Sequence, residues 1–234
     1  MAKITTVEEG VKAFFAYHKK EVPEYSVTEG KKYKTLTANG KTVPLFIYEE
    51  HPKIRGIMAK REILGSPCAL TVYSVDCTTL DELLFRELSV AEKCFKSQVK
   101  SVMSYVNGNS LTALVKMEND GTAYFTLNAA DFGEKHFKHE YFTTEGMICN
   151  RAVDTVVEQH AMNIYTKEGG YEYITDNHHV LYGLMPDEVN EVICIYGALT
   201  QSTDGLTEKA ERLAKLADVV IANSGKTVVK GVDF

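Results

Sequence analysis

The chain has 234 residues, of which 44% are hydrophobic and 25% charged, and a formal charge of −6. That composition offers enough apolar surface to exclude disorder over most of its length. Its longest apolar runs, 217–222 and 43–48, are far below the roughly 20 residues a membrane span needs, and its scattered Lys and Arg leave no basic stripe for nucleic acid.

In chain order, Thr6 and Glu9 have the spacing of a capping box, and Val7, Val11, Phe14 and Phe15 recur at helical spacing up to Pro23. This predicts a helix over residues 7–19. A lysine-rich segment leads to a strand at 33–37, a turn at Ala38-Asn39-Gly40-Lys41, and a strand at 42–48. Asn-Gly between β-prone runs is a hairpin signal. Ile54, Ile57, Met58, Arg61 and Ile63 predict a short helix closed by Leu64-Gly65-Ser66-Pro67. A strand follows at 69–75. Leu80, Leu83, Leu84, Leu88, Ala91 and Phe95 form the apolar stripe of a helix over 79–97.

From 99 to about 175 the pattern is mostly β. Strands are predicted at 99–106, 110–118, 122–128, 135–143, 161–166 and 171–175, with turns at Asn119-Asp120-Gly121 and Lys167-Glu168-Gly169-Gly170. Residues 151–160 fit strand or helix equally. Pro186-Asp187-Glu188 opens a helix, another spans 207–222, and 227–230 reads as a last strand. Helices at the ends and consecutive strands between them predict an α+β fold, an open, mostly antiparallel sheet of about six to eight strands with helices packed on one face. Such a sheet leaves its other face solvated or as an interface. Residues 1–41 read as an N-terminal helical extension of one domain over 42–234.

The five cysteines, Cys68, Cys77, Cys94, Cys149 and Cys194, are odd in number, widely spaced and without a CxxC pair. This predicts reduced thiols buried as small hydrophobes in a cytoplasmic protein. Residues 1–6 lead into an amphipathic stretch without the apolar core of a signal peptide.

No GxGxxG, Walker A or GxSxG sequence is present. His136-Phe137-Lys138-His139-Glu140 is the most metal-like string. On a strand, residues three apart point to opposite faces, which separates His136 from His139 but puts His139 and Tyr141 together. His178-His179, beside Asp176 and Asn177, lies in a loop and is either a solvated polar turn or a ligand site. Asp76 with Asp81 is either a carboxylate pair for acid–base work or part of a helix cap formed by Asp76 or Thr78. The candidate ligand-binding residues are therefore Asp76, His139, Tyr141, His178 and His179.

Several stretches resemble the second domain of the glucose–fructose oxidoreductase / inositol dehydrogenase (Gfo/Idh/MocA) family. The 110–129 hairpin around Asn119-Asp120-Gly121 resembles that family's sheet hairpin. His139-Glu140-Tyr141-Phe142-Thr143-Thr144-Glu145-Gly146 resembles its strand ending in "GteG". Residues 206–222 and then Asn223-Ser224-Gly225-Lys226-Thr227-Val228 resemble its closing helix and "S..sGk.v". His51-Pro52 and 59–67 resemble its helix ending in "G.iG.p". The match runs from 42 to 234 in the right order.

Members of the family carry an N-terminal dinucleotide-binding domain with a Gly-rich turn. Residues 1–41 lack that turn, and the family's Glu-Lys-Pro is missing. Asp76 matches the family's Asp after the first sheet strand. The position of its proton-exchanging His falls near Thr79 or Leu80, neither of which shuttles a proton. The resemblance therefore implies a stand-alone, non-catalytic or degenerate relative with no cofactor of its own. Its role would be oligomerisation, as a homodimer through the open sheet face, or polar-ligand binding. Two alternatives are a subunit of a split NAD(P)-dependent sugar or polyol oxidoreductase, completed by a separate Rossmann-domain protein, and a cofactor-independent isomerase or lyase on a sugar-like substrate.

Overall fold

Thr6 starts the first helix, α1 (Val7–Tyr17): its hydroxyl accepts from the Glu9 backbone N–H at 3.2 Å. The Glu9 carboxylate reaches back one residue further than a capping box requires, accepting from the Thr5 backbone N–H at 2.9 Å. That bond and the one donated by the Thr5 hydroxyl at 2.9 Å lead the causes that hold the Glu9 carboxyl below its ordinary pKa.

The computed structural model describes residues 3–130, 136–150, 161–174 and 179–234. The chain divides into two units, Met1–Pro52 with Asp176–Glu211 and Lys53–Thr175 with Arg212–Phe234. This differs from the expected boundary at residue 41. The apolar face of α1 is buried with that of a late helix, so the N-terminal segment shares a core with residues near 190.

In the first unit, β1 (Tyr25–Thr28), β2 (Lys34–Ala38) and β3 (Lys41–Leu45) form an antiparallel sheet in that order. Asn39 and Gly40 take φ of 50° and 73° at the β2–β3 turn, the left-handed pair an Asn-Gly hairpin uses. Strand β1 was missed because it is only four residues long, too short for the alternation of Tyr25 and Val27 with Ser26 and Thr28 to stand out. Residues 47 and 48, expected to extend the strand, instead begin a 3-10 turn, Ile47–Glu50. Helix α4 (Pro186–Thr200) has Glu188 accepting from the Met185 backbone N–H at 2.7 Å. Val11, Phe14, Phe15, Leu36, Val43, Leu45, Val192 and Ile195 make the core. A Cβ at Gly10 would lie 2.8 Å from both Leu184 and Val192, so glycine permits the close approach of α1 to this segment.

In the second unit, α2 (Pro52–Leu64) leads to β4 (Pro67–Val75) and α3 (Leu80–Phe95). The cap of α3 is Thr79, whose hydroxyl accepts from the Glu82 N–H, and not Asp76 or Thr78. Then come β5 (Val99–Asn107), β6 (Ser110–Met117), β7 (Thr122–Asn128), β8 (His136–Thr143), β9 (Gly146–Asn150), β10 (Ala161–Thr166) and β11 (Gly169–Ile174). After α5 (Leu206–Ala222), β12 (Thr227–Val229) ends the series. Among the described residues these strands form one nine-stranded sheet, ordered β11-β10-β9-β8-β4-β7-β6-β5-β12. It is one strand wider than the upper expectation. The β4–β7 pair is parallel and the others are antiparallel, so the α+β reading with a mostly antiparallel sheet holds. Residues 151–160, left open between strand and helix, lie outside the described residues.

One face of the sheet is core. Leu70, Val72, Phe125, Leu127, Val115 and Val102 point inward and are buried. Helix α3 packs on β4, β6 and β7, and the Ser104 hydroxyl donates to the Val220 carbonyl of α5 at 3.2 Å. The other face is open. Across it runs one row, Thr71–Tyr124–Leu114–Met103, and beside it another, Lys138–Tyr73–Thr126–Thr112–Tyr105. Tyr105, Tyr124 and Met103 are 64%, 52% and 54% exposed.

Candidate functional site

Alternation along β4 aims Ser74 into the core beside Val72, and the antiparallel register sets Phe137 opposite Ser74 and His139 opposite Val72. Helix α3 lies over this patch and is buried almost all round, including Arg86, Glu87 and Glu92. Buried charges must be paired and hydrogen-bonded, and these are. Arg86 donates through Nη1 to Asp76 Oδ2 at 2.6 Å, through Nη2 to Ser74 Oγ at 2.7 Å, and through Nε to Glu87 Oε1 at 3.2 Å. Glu87 Oε2 lies 2.9 Å from His139 Nε2. Phe137 covers the group, its ring 4.1 Å from the His139 ring and 5.5 Å from the guanidinium.

The result is one chain of alternating groups, Asp76–Arg86–Glu87–His139, with Ser74 alongside. Burial pushes the Glu87 carboxyl up, but the His139 and Arg86 charges and the hydrogen bonds from His139 and Ser74 outweigh it. The carboxyl is held below its ordinary value. An ionised carboxylate only accepts, so His139 donates through Nε2. His139 Nδ1 is buried without a hydrogen-bond partner. The Asp76 backbone N–H donates to the Asn128 carbonyl at 3.1 Å. The network thus ends where the parallel strands β4 and β7 end together, and the carboxyl ends of parallel strands are where open sheets tend to place ligands.

This geometry unites two of the five candidates. Asp76 and His139 belong to the network, joined by Arg86 and Glu87. Tyr141 shares the inward face of β8, yet its hydroxyl donates to the Cys94 carbonyl at 3.0 Å. It ties the strand to the end of α3, and burial raises its pKa. His179 opens a 3-10 turn, His179–Leu181, in the first unit, whereas the network is in the second. His178, Asp176 and Asn177 lie outside the described residues. Asp81 stands in the first turn of α3, and the Asp76 carboxylate is engaged by Arg86, which replaces the carboxylate-pair reading.

Arg86, Glu87 and Ser74 were missed. The available signal was Glu87, three residues after Leu84 and four before Ala91 on the helix's apolar stripe, where a carboxylate requires a buried partner. The cysteine reading also needs correction. None forms a disulfide, and Cys94 is buried, but Cys68 and Cys77 are exposed and Cys149 and Cys194 half-buried. Among the described residues no three His, Cys, Asp or Glu side chains gather to hold a metal, and no helix is long and apolar enough to cross a membrane.

Chemically, the network fixes charge. Every ionised member is at least nine-tenths buried, and acid–base work on a ligand requires hydrogen-bond reach to it.

No protein-family model matches the sequence, and no curated protein does. Solved structures do match. Levoglucosan dehydrogenase in complex with NADH and levoglucosan superposes with a TM-score of 0.63 at 12% identity, over 80% of this chain and 65% of that one. An NAD binding oxidoreductase from Klebsiella pneumoniae gives 0.64 at 12%, over 79% and 64%. An oxidoreductase from Agrobacterium radiobacter in complex with NAD+, L-tartaric acid and magnesium gives 0.58 at 14%, over 80% and 64%. The match thus spans about two thirds of each neighbour's length. These neighbours are oxidoreductases of the Gfo/Idh/MocA type, and the resemblance read in the sequence holds at the level of the fold.

Proposed function

We propose that this chain is a degenerate relative of the Gfo/Idh/MocA oxidoreductases, and that it works by self-association through the open face of its nine-stranded sheet. The observation that carries this reading is the set of exposed aromatic and Met side chains spread over that face. Tyr73, Tyr105, Tyr124, Tyr165 and Met103 are all about half exposed or more. Aromatic residues and Met are the side chains enriched in interface cores, and contiguous apolar patches mark interaction surfaces. The loss of catalysis is supported by the network itself: Arg86 binds Asp76, Ser74 and Glu87 at once, which leaves the acid and base groups committed to one another.

A second reading has one observation in its favour. The neighbours bind NADH or NAD+, and the Asp76–Arg86–Glu87–His139 network stands at the carboxyl end of the parallel strands. In that reading the chain supplies the substrate side of a nicotinamide-dependent sugar or polyol oxidoreductase, completed by a Rossmann-domain protein.

Sedimentation velocity across a concentration series separates the two. Self-association predicts a dimer that a Tyr73→Asp/Tyr124→Asp variant converts to monomer while its circular dichroism stays unchanged. A monomer at every concentration, gaining mass on addition of a Rossmann-domain protein with NADH, overturns the first reading and supports the second.

A further inference from the structure

The three-stranded sheet of the first unit ends on one side in β1, which pairs with β2 and with no other strand among the described residues. In an antiparallel pair, alternate residues turn their backbone N–H and C=O groups away from the partner strand. Along Tyr25–Thr28 those outward groups meet no other backbone group among the described residues. Such a row of unpaired donors and acceptors is a template for another strand.

A groove of about 620 Å³ runs along this edge. It touches Glu24, Tyr25, Ser26 and Val27 in succession but no residue of β2, which places it on the free side of the strand and not over one of its faces. The opposite wall is Val7, Glu8 and Lys12 of α1, and α4 contributes Glu191 and Ile195. Paired strands lie about 4.8 Å apart, so a chain added to β1 would occupy the groove. Confined between a helix and an edge strand, that space takes one extended segment and not a folded domain.

The charges set the kind of segment. Lys12 is 2.6 Å from Glu8, and Lys34 is 3.0 Å from Glu191. Glu24, exposed at the start of β1, is in no ion pair among the described residues. The lining acids thus outnumber the one lysine, and one carboxylate beside the strand is unmatched. We propose that this groove binds an extended basic segment of a partner protein, which joins the sheet beside β1 as a fourth strand. Apolar side chains at alternate positions pack against Val7, Val27 and Ile195, and a Lys or Arg of the segment meets Glu24.

Fluorescence anisotropy of the full chain with the labelled peptide Lys-Val-Thr-Val-Thr-Lys tests this. A lysine at each end puts an ammonium near Glu24 whichever way the strand runs. The expected result is saturable binding with a Kd below about 100 μM. N-methylation of the internal amides, which removes the strand's donors, should weaken it by about tenfold or more. The peptide with Glu at both ends should bind more weakly, and Glu24→Lys, at an exposed position, should reverse the order of the two. Hydrogen–deuterium exchange of the complex should slow at residues 25–28. No saturation up to about 1 mM peptide, or undiminished binding by the N-methylated peptide, would overturn the proposal. So would equal affinity for the Lys-ended and Glu-ended peptides, or protection at β11 or β12, the edges of the nine-stranded sheet, in place of β1.

Discussion

The Glu87 carboxylate and the His139 imidazole face each other at 2.9 Å across the α3–β8 contact, and neither side chain is accessible to solvent. Glu87 also accepts from Arg86, so it sits between two donors. Removing a single partner from such a buried group leaves the others charged or polar without compensation. Glu87→Ala is therefore expected to destabilise the fold by about 3–5 kcal/mol. Urea denaturation followed by circular dichroism measures this, and a loss below about 1 kcal/mol would mean the network is wet and not buried.

The same carboxyl sets the acid limit of stability. Its folded pKa lies below the ordinary 4.5, so the unfolded chain takes up the proton first as pH falls. The stabilising contribution is fully present above about 4.5 and drains away as pH drops through the folded value. The melting temperature should hold level down to about pH 5 and fall steeply below about 4.5. Glu87→Gln should begin from a lower plateau and show a shallower acid limb. Parallel limbs in the two proteins would assign the acid transition to other carboxylates.

Tyr141 makes a smaller claim. Cys94 is in the last turn of α3, where carbonyls have no partner within the helix, and the Tyr141 hydroxyl supplies one. Tyr141→Phe should cost about 1 kcal/mol and leave the oligomeric state untouched. If the variant instead changes association, Tyr141 acts on the open face, against its inward position.

How far the sequence could be read follows from what each signal depends on. Hairpins at Asn39-Gly40 and Asp120-Gly121 were legible because a left-handed turn is a local demand, and Asp120 does take a φ of 64°. The stripe of α3 and the alternation of β4 and β7 were legible for the same reason, since periodicity is local. The partnership of Asp76 and His139 was not, because it runs through Arg86 and Glu87, and pairing across 52 residues is a property of register. His139 was placed on the correct face by alternation, but no local rule says that Glu87 meets it. The two-unit division was illegible likewise: Val11 and Val192 share a core, and nothing in either segment names the other.

Two glycines should answer the same substitution with opposite signs. Gly146 opens β9 opposite Thr166, and a Cβ there would stand 2.1 Å from the Tyr165 carbonyl oxygen and 3.1 Å from its carbon. These are backbone atoms of the neighbouring strand, so no rotamer change relieves the clash, and the β9–β10 pairing must open. Gly146→Ala is expected to destabilise by about 1–3 kcal/mol. Tyr165, on the open face beside this contact, would be displaced with its strand. The variant should therefore also weaken self-association in sedimentation velocity, beyond what its lowered melting temperature explains. Gly197→Ala meets empty space within a helix and should stabilise by up to about 1 kcal/mol. Measuring both by urea denaturation separates the causes. If both variants lose stability, helix α4 does not tolerate a side chain at 197, and the gap there is not open space. If both gain, strand β9 is free to shift, and the tight register at Gly146 does not hold the β9–β10 pairing in place.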